Sequence, residues 1–76
     1  MREQILELCK EILPRIDFEG SEALVDDGIL DSISIIALVS ELSMEFDIEF
    51  DMNELQAENL NSLDAIVETV KALQNK

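Results

Sequence analysis

The chain has 76 residues, 47% of them hydrophobic, and carries 18 acidic against five basic side chains for a net charge of -13. That length predicts a single small domain spanning residues 1–76, and with only two Gly and one Pro the composition excludes a low-complexity or disordered segment. The charge repels phosphate backbones and anionic lipid headgroups, so nucleic acid and membrane partners are not expected, whereas basic protein surfaces are.

From Arg2 to about Leu13, Ile5, Leu8, Cys9 and Ile12 recur at the spacing of one helical face, while Glu3, Glu7, Lys10 and Glu11 fall elsewhere. This predicts a first helix whose end or last turn is marked by Pro14, which lacks a backbone donor and disfavours helical geometry in the residue before it. Cys9 lies on the apolar face and reads as a small core residue rather than a reactive thiol. Being the sole cysteine, it excludes an intramolecular disulfide. The amphipathic, mixed-charge start is unlike a signal or transit peptide, and no apolar run approaches the roughly 20 residues that span a bilayer. A cytoplasmic monomer is the expectation.

Arg15 to Asp31 holds no long period and is punctuated by Gly20, Ser21 and Gly28, which predicts a long loop. Phe18, Leu24, Ile29 and Leu30 are spaced as anchors that pin it over the helices. A loop of this length in so small a domain is usually functional.

Ser32 to about Phe46 reads as the second helix, with Ile35, Leu38, Val39, Leu42 and Phe46 as its core stripe. A second stripe, Ile33, Ile36, Ala37, Ser40 and Met44, begins beside Ser32, with Glu41 and Glu45 on the far side. One buried face suffices for a surface helix. The second stripe therefore predicts a partner-docking face, the other possibility being a helix buried nearly all round. Asp47 to Met52 alternates acidic and apolar residues but has no second strand to pair with, so it reads as an extended loop. Asn53 to about Asn59 reads as a short helix. Asn61 or Ser62 caps a last helix whose core stripe is Leu63, Ile66, Val67, Val70 and Leu73, with Lys71 and Lys76 suiting its C-terminal end. The sum is an all-α fold, a small four-helix bundle of three longer helices and one short, with a long loop between helices one and two.

Few residues can carry chemistry. The absence of His excludes a Ser-His-Asp triad and a His metal site, and one Cys excludes a thiolate cluster. Asp26 and Asp27 read as solvated loop residues in a chain this acidic. Asp47, Glu49, Asp51, Asn53 and Glu58 copy the ligand spacing of a calcium-binding loop, but Met52 stands where the sharp turn needs Gly, and no metal site is expected. No residue is assigned a catalytic role, and the chain is not read as an enzyme. What remains is Asp31-Ser32 ahead of the second helix. Taken alone this is an ordinary N-cap. The unpaired N–H groups and positive dipole end of that helix also suit a phosphate attached at Ser32.

Gly28-Ile29-Leu30-Asp31-Ser32-Ile33 resembles the signature of the acyl and peptidyl carrier proteins, in which a Gly, one or two apolar residues and Asp-Ser-Leu precede the second helix. The resemblance extends along nearly the whole chain, through Phe46-Asp47-Ile48-Glu49-Phe50 to the closing helix. It implies that a phosphopantetheinyl transferase attaches 4'-phosphopantetheine from coenzyme A to Ser32, with Asp31 assisting recognition, and that acyl or aminoacyl cargo rides as a thioester on the arm. It also implies loading and transferring enzymes with basic and apolar docking faces. Fatty-acid carriers usually place Gly one residue later and follow the Ser with Leu and an acid. Here Ile33 and Ser34 stand there, and Ala37, Ser43 and Met44 occupy positions that are often acidic. The form is closer to D-alanyl and stand-alone peptidyl carriers.

A different class of reading remains open from the residues: an acidic helical adaptor that binds a partner non-covalently through Ile33, Ile36, Ala37 and Met44. Under either reading, carboxylates crowded on a small core predict a melting temperature that rises from low to moderate salt or with magnesium.

Overall fold

The computed structural model describes residues 1–75; Lys76, placed above at the end of the last helix, lies outside the described residues. Four helices follow in order, α1 (Arg2–Ile12), α2 (Ser32–Phe46), α3 (Ala57–Leu60) and α4 (Leu63–Gln74), and the described residues contain no strand. α1, α2 and α4 pack on one another, and α3 packs on α4. The four-helix, all-α architecture is the expected one.

α1 buries Ile5 and Cys9 completely. It stops at Ile12 because Leu13, the residue before Pro14, takes the non-helical angles φ -132° and ψ 70°. The Leu13 amide still closes the last turn on the Cys9 carbonyl at 2.9 Å. α4 begins at Ser62, whose Oγ accepts from the Ala65 amide at 3.0 Å. All five residues of its expected core stripe are buried. Thr69, on the same helix, is buried too and donates its hydroxyl to the Ala65 carbonyl at 2.8 Å, so its polar group is satisfied locally.

The long loop is pinned as expected by Phe18, Leu24 and Leu30, all buried. Ile29 departs from the expectation and remains 40% exposed. Leu30 takes the core place, and its amide donates to the Leu24 carbonyl at 2.8 Å. The short helix also differs, starting at Ala57 rather than near Asn53. Asp51 explains the delay: its Oδ1 accepts from the Asn53 amide at 2.8 Å, and its carbonyl accepts from the Glu54 amide at 3.2 Å. These bonds form turns in place of a first helical turn. Asp47 ends α2 in the left-handed conformation, φ 52° and ψ 52°, and residues 48–51 after it form neither helix nor strand, with Ile48 buried.

Candidate functional site

The approach to Ser32 is a compact turn held from across the molecule. The Asp27 amide donates to the Ala23 carbonyl at 2.8 Å, the Gly28 amide donates to the Val25 carbonyl at 3.0 Å, and Gly28 sits at φ 74°. That left-handed angle favours Gly. Asn61, at the junction of α3 and α4, clamps the same turn. Its Oδ1 accepts from the amides of Val25 at 2.9 Å and Asp26 at 3.1 Å, its Nδ2 donates to Asp26 Oδ2 at 3.0 Å, and its carbonyl accepts from the Leu24 amide at 2.8 Å. The sequence offered Asn61 only as one of two helix caps. Ser62 takes that role, and Asn61 proves to be the residue that shapes the loop.

Asp31 is the N-cap of α2: its backbone is extended and its Oδ1 accepts from the Ser34 amide at 2.8 Å. That bond, with further help from the Ser34 side chain, holds the Asp31 carboxyl below its ordinary value, so it is a stable anion. Ser32 is the first residue of α2 and is exposed, and its hydroxyl has no hydrogen-bond partner among the described residues. The first turn of α2 carries no acidic side chain.

Along α2 most of the core stripe turns inward: Leu38 and Leu42 are buried and Ile35 and Phe46 pack half-buried against the core, whereas Val39 is half-buried without joining it. The second stripe faces solvent. Ile33 is 80% exposed, Ile36 65% and Met44 72%; Ser40 is exposed and Ala37 half-buried. The helix is therefore not buried all round, and the apolar stripe runs away from Ser32 as one surface. Met52 and Leu55, beyond the end of α2, are exposed as well, a feature that the alternation of residues 47–52 did not signal. Cys9 is fully buried, and burial pushes its thiol up to about 12, so it is a core residue and not a nucleophile. No group of three or more Cys, Asp or Glu side chains among the described residues is placed to hold a metal ion.

A family model described as a phosphopantetheine attachment site matches residues 3–70. The chain belongs to the phosphopantetheine carrier family. A D-alanyl carrier protein of Streptococcus uberis is 43% identical to the carrier over 54 residues, covering 71% of this chain and 68% of that protein. Those of Streptococcus sanguinis and Streptococcus thermophilus are each 30% identical over 76 residues, covering 99% of this chain and 96% of theirs. These relatives are of the carrier type that the Gly28 to Ser32 spacing resembles. No solved structure matches. Family membership makes the carrier a substrate of partner enzymes rather than an enzyme, with covalent 4'-phosphopantetheine as its cofactor. No helix among the described residues is long and apolar enough to cross a membrane.

Proposed function

We propose that Ser32 is the attachment residue and that the carrier, acting as a single domain and a monomer, holds D-alanyl groups for transfer. The observation that carries this reading is the exposed, unpartnered Ser32 hydroxyl at the head of a capped helix, inside the matched span of an attachment-site family. The residues present fit the group. Asp31 keeps its carboxylate turned onto the Ser34 amide, and the first turn of α2 has no acid of its own to repel a phosphate. When bound, the arm supplies a thiol that holds cargo as a transferable thioester.

In the attachment step the Ser32 oxygen attacks the phosphorus that bears pantetheine in coenzyme A. The bond between the two phosphates breaks, 3',5'-ADP leaves, and the hydroxyl proton passes to a base of the transferase. The carrier contributes the nucleophilic oxygen and the rigid approach to it, and Asp31 presents the transferase with a fixed anion. The stripe of Ile33, Ile36, Ala37, Ser40 and Met44 serves as the surface on which the transferase, the loading enzyme and the accepting enzyme dock in turn. D-alanine is proposed as cargo because three carriers of that name align with this chain.

The test is intact mass after incubation with coenzyme A, magnesium and a broad-specificity transferase, for wild type and Ser32→Ala. A gain of one phosphopantetheine in the wild type alone supports the reading. No gain by the folded wild type with several transferases defeats it in favour of the non-covalent adaptor. The modified protein is then offered D-alanine or L-alanine with ATP and a D-alanine-activating enzyme. Gain of the D isomer alone is the expected result.

A further inference from the structure

A groove of about 490 Å³ lies beside the head of α2, between it and the end of α1. Its lining includes Ile12, Arg15, Ile16, Ile29, Asp31 and Ser34, so Ser32 sits in the chain between two of its walls. Two features of this groove are unexplained by folding. Ile29 is an apolar residue that the core leaves out, 40% exposed. Arg15 is a cation that, in so acidic a chain, pairs with no carboxylate among the described residues. The ion pairs of the described residues are Arg2 with Asp64, Lys10 with Glu19 and Lys71 with Glu68, and none includes Arg15.

A phosphodiester on Ser32 would bring a second anion up against Asp31 on a molecule of net charge -13. A guanidinium is the donor best matched to phosphate oxygens, through its planar fork and permanent charge. Beyond its phosphate, the pantetheine arm begins with a geminal dimethyl group, which is apolar, and continues through amides, which are not. A groove with one cation and three isoleucines beside Ser32 offers a partner for each of the first two. Resting on the reading of Ser32 as the attachment point, we infer that this groove is the docking place of the carrier's own phosphopantetheine arm between visits to partner enzymes. Arg15 holds the phosphodiester, and Ile12, Ile16 and Ile29 receive the dimethyl group. Arg15 is thus a positioning residue for the cofactor.

The experiment uses full-length carrier modified with isotope-labelled pantetheine, attachment being verified by intact mass, and reads nuclear Overhauser contacts from the arm to the protein. Contacts from the geminal methyls to the methyls of Ile12, Ile16 or Ile29 are expected. In modified Arg15→Glu, or Arg15→Gln should the first variant resist modification, these contacts should weaken several-fold with circular dichroism unchanged, while Arg15→Lys retains most of them. An attached arm with no groove contacts, with contacts instead to Met52 and Leu55, or with contacts indifferent to the charge at position 15 overturns the inference and leaves the proposed function standing. Failure of the arm to attach to Ser32 in the first place overturns both, and the mass measurement distinguishes the two failures.

Discussion

α4 hides its apolar residues and α2 does not. Leu63, Ile66, Val67, Val70 and Leu73 are all buried, whereas Ile33, Ile36 and Met44 stand in solvent on a helix with core contacts of its own. The two helices also begin differently. Ser62 is both a helix cap and a hydroxyl used in doing so, accepting from the Ala65 amide, and Leu63 behind it is buried. At α2 those jobs are divided: Asp31 caps, and the hydroxyl of Ser32 is left free. The first turn of α4 contains Asp64, paired with Arg2, while that of α2 contains no acid. α4 thus has the properties of a helix that only has to fold. What α2 carries in excess of them, a spare hydroxyl and a spare apolar stripe, is what the proposed attachment and docking would use.

The largest effect should separate the two apolar stripes. Ile66→Ala empties a fully buried site and is expected to destabilise by about 2–5 kcal/mol. Ile36→Ala should stay within about 0.5 kcal/mol in the same denaturant titration. Ile36→Asp, equally well folded, should slow modification by the transferase. Similar losses of stability at both positions would erase the distinction.

Asn61→Ala comes next, since it strips the partner from the Val25 and Asp26 amides; a loss of about 1–3 kcal/mol is expected. Hydrogen exchange at those two amides should accelerate ahead of exchange in α2. At the two helix starts, Ser62→Ala should cost about 1 kcal/mol, and Ser32→Ala should change the unfolding midpoint hardly at all.

The smallest effect is a pH dependence. The carboxyl of Asp31 titrates lower in the folded protein than its ordinary value of about 3.9. Its charge therefore contributes stability that is complete above that value and is lost as pH falls through the lowered folded value. The stability difference between wild type and Asp31→Asn should be flat at neutral pH and decline only in acid. A difference that is already falling near neutrality would point to another group.

Helix positions were legible because periodicity reports burial directly: the five-residue stripe of α4 is buried to the last member, and Pro14 set the end of α1 through Leu13. Ile29 was misread because apolar character alone does not say which of two neighbouring residues turns inward. The start of α3 was set by the side chain of Asp51, whose turn outweighs a weak helical pattern. The clamp by Asn61 escaped notice because it acts on residues distant in sequence, and a lone polar residue carries no pattern from which its partner can be read. The family signature was legible because its whole local context, Gly28 to Ile33, is contiguous.

The clamp by Asn61 has a consequence for the order of events in synthesis. The turn leading to Ser32 donates its amides to a residue 35 and 36 positions further on. A nascent chain that has emerged only as far as α2 already displays the serine, but without the frame that fixes the loop beside it. The proposed attachment site is therefore completed late, once Asn61 has left the ribosome and α4 has docked. A transferase that reads the folded turn would modify finished carriers and pass over truncated ones.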